Sequence, residues 1–276
     1  MSFPLSNRKG GLHYTVAGKS ETPLVLLHGS LNDHTSWNQV VPALSSHLRV
    51  ITYDRRGHSR SESERRRDSI FEDAQDLKFI IEEIVQRPAH VAGTSGGAAI
   101  AMRLACREPH LFLSLAAHEP PLIEALPPDG EWGACRNALH DNFAQFRRLM
   151  ESGNTTEAVA YFVDSLSDGP GAWKALPGSK RDTFDRNAWT LYGENLDTDF
   201  LVPDFAGLSH FDKPVLFTNG AKSAPFFARI IEVLVERSLP AARRHTFPDA
   251  GHVPHETHPV EYSDVVLDFI RAQNFA

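Results

Sequence analysis

The sequence is poor in cysteine, has no long apolar run and carries no excess of positive charge. Its two cysteines among 276 residues, Cys106 and Cys135, are too few for a disulfide framework or a thiolate metal site. No stretch approaches the roughly 20 apolar residues that span a bilayer, and residues 1–11 lack the apolar segment of a signal peptide. These absences predict a cytoplasmic protein in a reducing compartment, with no membrane partner.

The charge balance excludes a further group of partners. The chain carries 28 Lys and Arg against 35 Asp and Glu, a formal net charge of −7. Nucleic acids and anionic membranes bind basic faces, so we expect neither as a partner. The one basic run, residues 64–68, is flanked by acids and is predicted to be a solvated loop leading into a helix. The composition leaves monomer and homodimer open.

What the sequence does contain is an alternation of strand-like and helix-like segments. The strand-like segments are short, continuous apolar runs, which are typical of strands buried on both faces in a parallel sheet. Amphipathic stretches lie between them, and Ile70–Val85 is one example. The alternation predicts an α/β fold with a mostly parallel, doubly wound sheet. The apolar runs are residues 23–27, 48–53, 90–92, 111–117, 214–218 and 244–247.

The alternation stops between about Pro120 and Phe211. This stretch holds three of the four tryptophans, segments of helical periodicity and joints rich in proline and glycine. Its pattern indicates a helical insertion between two strands of the sheet. We therefore predict a core domain of residues 1–121 and 209–276, and a helical cap of residues 122–208.

Ser95 is the candidate nucleophile. It lies in the pentapeptide Gly93-Thr94-Ser95-Gly96-Gly97, between the apolar run that ends at Ala92 and a helix-like segment rich in alanine. A G-x-S-x-G sequence in this setting predicts a nucleophile elbow, a strained strand-to-helix turn that presents the serine oxygen at the end of the sheet. Glycines suit the neighbouring positions because the elbow crowds its own backbone.

His252 is the candidate base. A serine hydroxyl is a poor nucleophile unless a base takes its proton, and the base needs an acid to orient it. In elbow-type hydrolases the chain order is serine, acid, histidine. His252 fits the last place because it follows the final strand-like run, lies beside Gly251 and precedes a helix-like segment.

Glu119 is the candidate acid. The usual place for the acid is the loop after the next-to-last strand, but residues 219–225 contain no carboxylate. Glu119 instead follows the run 111–117, where a charged side chain at a strand tip needs a partner. Asp249, three residues before His252, is the rival, although local hydrogen bonds in its own turn are its simpler role.

An oxyanion hole needs two backbone N–H groups directed at the developing negative charge. Gly96, directly after the nucleophile, is predicted to supply one of them. The other is expected from Gly29 or Ser30, in the loop that follows the first apolar run. His28 is predicted to support this loop without taking part in catalysis, and residues 54–59 are predicted to form a tight structural turn.

Taken together, these motifs resemble the α/β-hydrolase superfamily over residues 11–272. The resemblance implies the α/β-hydrolase fold with a helical cap. Within that superfamily, His118-Glu119 and Pro248–His252 are similar to the branch that contains the fungal zearalenone lactonases, which implies a Ser95–Glu119–His252 triad. The same resemblance implies that Trp189 contacts the ligand. The chain departs from the branch at His28-Gly29, where the branch has Asp-Gly, and at Gly96, where it has serine.

We therefore predict a serine hydrolase that cleaves a carboxylic ester or lactone of a hydrophobic small molecule through an acyl-enzyme, with no cofactor. No metal is expected, because Pro254 and Pro259 interrupt any helix that could align the nearby histidines as ligands. Other chemistry on the same scaffold (C–C hydrolysis, perhydrolysis or cofactor-free oxygenation) and a non-catalytic receptor are the alternatives. The predicted substrate contacts are Leu31, Trp189, Tyr192, Phe226 and Val253.

Overall fold

The computed structural model describes residues 5–62, 69–167 and 169–273, so the basic run at residues 64–68 lies outside the described residues. Within these ranges the strands are β1 (Leu5–Lys9), β2 (Leu12–Ala17), β3 (Pro23–Leu27), β4 (Arg49–Tyr53), β5 (Ala89–Thr94), β6 (Phe112–His118), β7 (Val215–Gly220) and β8 (Arg243–Phe247).

The strands of the described ranges form one eight-stranded sheet in the order β1-β2-β4-β3-β5-β6-β7-β8. All pairs from β4 to β8 are parallel, whereas β1 pairs antiparallel with β2, and β2 pairs antiparallel with β4. The predicted mostly parallel α/β sheet is therefore confirmed. Sequence analysis missed β1 and β2 because β2 mixes polar and apolar residues, as an antiparallel strand near the sheet edge can.

The helices are α1 (Val41–Ser45), α2 (Ile70–Phe79), α3 (Gly96–Arg107), α4 (Gly130–Glu151), α5 (Thr155–Phe162), α6 (Ala172–Ala175), α7 (Gly178–Arg186), α8 (Ala188–Leu196), α9 (Phe205–Ser209), α10 (Pro225–Arg237), α11 (Pro254–Thr257) and α12 (Pro259–Gln273). Two of them continue as π-helical turns, α2 through Ile80–Val85 and α5 through Val163–Ser167. None of the helices in the described part of the chain has the length and apolarity that a bilayer crossing requires.

Both faces of the sheet are covered by helices, which explains the continuous apolar runs. In β3, Val25 and Leu27 face a core shared with α2, α3 and α10, whereas Leu24 and Leu26 face a second core shared with α1 and α12. Because successive side chains of a strand point to opposite faces, burial on both faces demands apolar residues at every position.

A third apolar cluster lies in the helical segment between β6 and β7. It joins residues of α4, α5, α7 and α8, and it includes Leu31 from the loop after β3. This segment therefore has packing of its own and is anchored to the loop that follows β3. Helices α4 to α8 lie within residues 122–208, and the division into core and cap at those boundaries stays a prediction.

Candidate active site

Ser95 occupies a strained turn between β5 and α3. Its backbone has φ 51° and ψ −123°, a conformation that a residue with a side chain rarely adopts. The turn is held in place by the amide of Ser95, which donates to the carbonyl of His118 at 2.8 Å, and by its carbonyl, which accepts from Ala98 N–H at 2.9 Å. The neighbouring strand and the following helix thus fix the position of the serine.

Two glycines allow α3 to approach the sheet around this turn, Gly93 on β5 and Gly97 against the end of β3. A Cβ atom at Gly93 would lie 2.6 Å from the carbonyl carbon of Gly97, and a Cβ at Gly97 would lie 2.6 Å from the carbonyl oxygen of Leu27. Both contacts are with backbone atoms, which have little freedom to move away. Glycine at these two positions is therefore a packing requirement of the elbow.

The structure brings Glu119 and His252 together. Glu119 is fully buried at the tip of β6, and its Oε2 accepts a hydrogen bond from His252 Nδ1 at 2.5 Å. Its other oxygen, Oε1, accepts from the backbone N–H of Gly220 at 2.8 Å. Asp249, the rival acid, is exposed and faces Lys222, with 3.4 Å between Nζ and Oδ1.

The charge state of Glu119 follows from these contacts. Burial raises the pKa of a carboxyl group, but here the hydrogen bond and the charge of His252 outweigh it and hold the pKa of Glu119 below its usual value. The side chain is therefore a carboxylate at neutral pH. It also keeps the proton of His252 on Nδ1, which leaves Nε2 as the nitrogen available to accept one.

His118 and Phe227 hold His252 from two further directions. His118 Nε2 donates to the carbonyl of His252 at 3.1 Å, and its Nδ1 accepts from the Thr218 hydroxyl at 2.9 Å. Burial lowers the pKa of His118 to about 4, so the ring is neutral and this tautomer is fixed. The Phe227 ring stacks on the His252 ring, with 4.8 Å between centroids. Sequence analysis gave no role to His118 or Phe227 around His252.

The predicted oxyanion donors converge next to Ser95. A Cβ atom at Gly96 would lie 3.5 Å from Ser30 N, and one at Gly29 would lie 3.1 Å from Ser95 Cβ. In the described part of the chain, the amides of Ser30 and Gly96 have no hydrogen-bond acceptor. Both groups are thus available to a ligand atom.

His28 determines which way the Ser30 amide points. Its Nε2 accepts from the backbone N–H of Arg55 at 3.0 Å, so its Nδ1 carries the proton and donates to the Gly29 carbonyl at 2.8 Å. Burial, followed by the charge of Arg55, lowers the pKa of His28 to about 3 and keeps it neutral. Because the peptide unit is planar and trans, the Ser30 N–H points away from His28. This geometry favours Ser30 over Gly29 as the donor.

The Ser30 hydroxyl contacts a buried network of charged residues. This network was not predicted from the sequence. The Ser30 hydroxyl donates to Glu194 Oε2 at 2.5 Å, and Arg55 Nη2 donates to Glu194 Oε1 at 2.6 Å. Arg55 also faces Asp73 at 3.3 Å. Residues 54–59 were predicted to be a structural turn only, and a buried arginine within that turn signals that acids must lie nearby.

One face of α8 carries further hydrogen bonds to the same loops. Asn187, at its N-cap, donates to the carbonyls of Leu31 and Asn32 at 2.9 and 2.8 Å. The Thr190 hydroxyl lies 2.9 Å from His58 Nε2. Positions 187, 190 and 194 are spaced three and four residues apart and share one helix face. We call this group, Asn187, Thr190 and Glu194, the α8 seam.

Ser95 and His252 line one cavity of about 270 Å³. Three predicted substrate contacts, Leu31, Phe226 and Val253, line it as well. Trp189 and Tyr192 are not among the described residues that line it, because the α8 seam turns them to another side of the helix. Trp189 is 59% exposed, and the Tyr192 hydroxyl donates to Glu151 at 3.0 Å. Other apolar residues around the cavity are Pro121, Ile123, Leu139, Phe143, Phe162, Ala172, Ala175, Leu176, Phe184 and Phe227.

Among the residues that the structure describes, two clusters place ligand atoms close enough to hold a metal. His118, Glu119 and His252 form one cluster, but their atoms already bond one another and the backbone. The other consists of His13, His34 and Asp54, where the guanidinium of Arg60 lies 3.3 Å from the His34 ring and would repel a cation. The donor chemistry of the first cluster suits proton transfer.

Comparison with known proteins identifies the family of the chain. A family model described as the alpha/beta hydrolase fold matches residues 22–259. YraK, an uncharacterized hydrolase of Bacillus subtilis strain 168, is 35% identical over 118 residues, 42% of this chain and 43% of that protein. The pimeloyl-(acyl-carrier protein) methyl ester esterase of Sodalis glossinidius is 26% identical over 277 residues, 95% of this chain and 99% of that protein.

The chain thus spans less than half the length of the first of these relatives and nearly all of the second. Among solved structures, the enol-lactonase from Burkholderia xenovorans LB400 has a TM-score of 0.76 at 19% sequence identity, covering 94% of this chain and 96% of that one. At this identity the likeness shows the fold.

Proposed function

The chain belongs to the α/β-hydrolase family, and on that basis we propose that it is a serine hydrolase which cleaves a carboxylic ester or lactone of a hydrophobic small molecule. The observation that carries the proposal is the hydrogen bond of 2.5 Å from His252 Nδ1 to the buried Glu119 carboxylate, beside a cavity that Ser95 also lines. A base oriented in this way is what a serine hydroxyl needs to act as a nucleophile.

In the first half of the proposed reaction, Ser95 Oγ attacks the carbonyl carbon while His252 Nε2 takes the hydroxyl proton. The negative charge that forms on the carbonyl oxygen is stabilised by the amides of Ser30 and Gly96. The C–O bond of the ester then breaks, and His252 gives its proton to the leaving alkoxide. In a lactone, this alcohol stays attached to the acyl group.

In the second half, water attacks the acyl-enzyme and His252 takes its proton. Collapse of the second tetrahedral intermediate releases the carboxylic acid and returns a proton from His252 to Ser95 Oγ. Glu119 stays ionised throughout and stabilises the imidazolium that forms in each half. Every proton is accounted for by these residues and water, so the proposed mechanism needs no cofactor.

The lining of the cavity supports a hydrophobic substrate. Its walls are mostly aliphatic and aromatic side chains, and the polar side chains are few. The Sodalis glossinidius relative, which aligns over 95% of this chain, is named as a methyl ester esterase and supports ester cleavage. The resemblance to the zearalenone lactonase branch supports lactones as the second substrate class.

Covalent labelling tests the proposal directly. A fluorophosphonate probe is expected to label the purified protein at Ser95, and p-nitrophenyl esters are expected to be hydrolysed. Ser95→Ala removes both labelling and turnover, whereas Ser46→Ala, at an exposed serine after α1, keeps both at the wild-type level. Ester turnover by Ser95→Ala close to wild type would contradict the proposal. Labelling of Ser95 without turnover of any ester or lactone favours the receptor alternative.

A further inference from the structure

The polar residues that line the cavity fall into two groups. One group contains Ser95, His252 and the loop residues Gly29 and Ser30. The other lies on the loop after β3, on α7 and on α11, and the proposed reaction does not use it. Its members are Asn32, Lys180, His255 and Glu256.

Lys180 joins the members of this second group. Its Nζ donates to Asn32 Oδ1 at 2.5 Å and to Glu256 Oε1 at 2.6 Å. An ammonium group has three protons, so one remains after these two hydrogen bonds. The ion pair with Glu256 cancels the charge of Lys180, which leaves this part of the cavity polar but close to neutral.

His255 is fully buried, yet neither of its ring nitrogens has a hydrogen-bond partner within the described part of the chain. The nearest carboxylate oxygen, Glu256 Oε1, is 3.7 Å from Nε2 and too far for a hydrogen bond. Aromatic packing holds the ring: the centroid of Trp37 is 4.5 Å away and that of Tyr262 is 5.8 Å away.

A buried imidazole with two unsatisfied nitrogens is unusual, because burial without a partner costs free energy. The ring is neutral, since burial and the neighbouring charges hold the pKa of His255 well below its usual value. A neutral imidazole offers one donor and one acceptor. Because His255 is among the residues that line the cavity, a ligand oxygen that reached either nitrogen would satisfy this group.

We propose that Asn32, Lys180 and His255 form a subsite for an uncharged oxygen group of the substrate, a carbonyl or a hydroxyl, at the end of the molecule remote from the scissile bond. The inference rests on the proposed function, because it assumes that the scissile carbonyl lies at Ser95. The substrate class is then an ester or lactone with an apolar middle and a second, neutral oxygen function.

The charge balance of the subsite favours a neutral substrate group. A substrate carboxylate would lie beside Glu256, whose charge already compensates that of Lys180. The ion pair would therefore not offset the free-energy cost of desolvating the substrate carboxylate. A substrate ammonium group would likewise lie beside the positive charge of Lys180, while the charge of Glu256 is already paired with Lys180. A carbonyl can accept the remaining Lys180 proton or the N–H of His255, and a hydroxyl can also donate to the free imidazole nitrogen.

Matched substrates test the subsite. We compare p-nitrophenyl esters of C6 to C10 straight-chain acids with the same esters carrying a keto or hydroxyl group at the penultimate carbon, and with esters of the corresponding dicarboxylic acids. The wild-type protein is expected to show, for at least one chain length, a kcat/KM about tenfold higher for the keto or hydroxy ester than for the alkyl ester. The dicarboxylic monoesters are expected to be the poorest substrates.

His255→Phe keeps the aromatic packing against Trp37 but removes both nitrogens, so this preference is expected to fall to about one. His255→Gln, which retains a donor and an acceptor, is expected to keep part of it. His110→Phe, at an exposed histidine after α3, is the matched control and keeps the wild-type preference. Fluorophosphonate labelling of Ser95 and a thermal melt show that each variant is folded.

The outcomes separate the two proposals. If no ester is cleaved and Ser95 is not labelled, the proposed hydrolase function is wrong. If all esters are cleaved and the oxygenated chains are never preferred, the function stands and the subsite is wrong, with His255 bonded to water. A preference that survives in His255→Phe, or one for the dicarboxylic monoesters, overturns the subsite as well.

Discussion

Glu119 and Glu194 are two buried carboxylates beside Ser95, and their pKa values are displaced in opposite directions. Burial raises the pKa of both. For Glu119 the hydrogen bond and charge of His252 outweigh this effect, and the pKa lies below its usual value. For Glu194 burial outweighs the charge of Arg55 and the hydrogen bond from Ser30, and the pKa lies above it.

The partners explain what each carboxylate can do. Glu119 faces a histidine, a group that gains and loses a proton during the proposed reaction, so its negative charge changes the energy of an intermediate. Glu194 faces Arg55, which is always charged, and Ser30, and both of its oxygens are occupied by these partners. We therefore expect Glu194 to act on the position of the loop that carries Ser30 and to take no part in proton transfer.

The largest difference between the two glutamates is expected in turnover. Glu119→Gln keeps the shape of the side chain but replaces the charge that stabilises the imidazolium, so we expect kcat to fall by about 10³–10⁴-fold, as in other triads. Asp249→Asn is expected to change kcat less than about twofold, because the side chain of this rival acid is exposed and faces Lys222. Steady-state kinetics with a p-nitrophenyl ester measures both, and a larger loss in Asp249→Asn would reverse the assignment of the acid.

Glu194 is expected to show its effect in stability. Glu194→Gln keeps an oxygen for Ser30 but leaves the buried Arg55 with Asp73 alone, and breaking one partner of a buried ion pair costs about 3–5 kcal/mol. Because Asp73 remains, and because burial already disfavours the charge of Glu194, we expect a loss below this range, less than about 3 kcal/mol, by denaturant unfolding. Glu157→Gln, at an exposed position of α5, is the control and should stay within about 0.5 kcal/mol.

Turnover of Glu194→Gln sharpens the comparison. Removing an oxyanion donor outright costs about 10²–10³-fold in kcat, and a Ser30 amide that is only less well fixed is expected to cost less than that. A loss in kcat as large as that of Glu119→Gln, with unchanged stability, would mean that Glu194 takes part in the chemistry.

The contributions of the two glutamates to stability are expected to change with pH in opposite directions. A carboxyl whose pKa is lowered on folding stabilises the protein above its unfolded value, near 4.3, and this stabilisation is lost as the pH falls through the folded value. A carboxyl whose pKa is raised binds more protons in the folded state, so its effect on stability becomes less favourable as the pH rises from the unfolded to the folded value.

The two variants are therefore expected to respond to acid in opposite ways. The stability deficit of Glu119→Gln relative to wild type should shrink as the pH is lowered from about 6 towards 3, whereas that of Glu194→Gln should grow. Denaturant unfolding at several pH values measures both differences. Deficits that move in the same direction would show that the two carboxyl groups do not differ as described.

The comparison also shows what the sequence reveals and what it does not. Ser95, Glu119 and His252 were predicted as a set because each follows a strand-like run with a recognisable local pattern, and parallel strands bring their carboxyl ends to one edge of the sheet. Glu194 could not be predicted, because it lies on a helix between β6 and β7 whose placement depends on tertiary contacts. Its partner Arg55 is 139 residues away in the chain.

The same limit applies to the helical segment as a whole. Periodicity predicted its helices, but a period alone does not say which face meets the core loops. For α8, the polar contacts of the α8 seam show which face of the helix meets the core loops. A search for apolar stripes does not detect such contacts. The resemblance that assigned ligand contact to Trp189 carried no information about the rotation of α8.

The smallest effect is expected for Trp189, on the side of α8 away from the seam. Trp189→Ala removes an indole that is 59% exposed and packs edge-to-face on Tyr192, so we expect a stability change of no more than about 1 kcal/mol. The KM for p-nitrophenyl esters is expected to stay within twofold of wild type. Phe226→Leu, which alters a buried residue of the cavity, is the contrasting variant and should raise KM more than Trp189→Ala does. A large rise in KM for Trp189→Ala alone would mean that α8 turns its Trp189 face to the substrate. The distinction between the α8 seam and an exposed side without a role in binding would then be wrong.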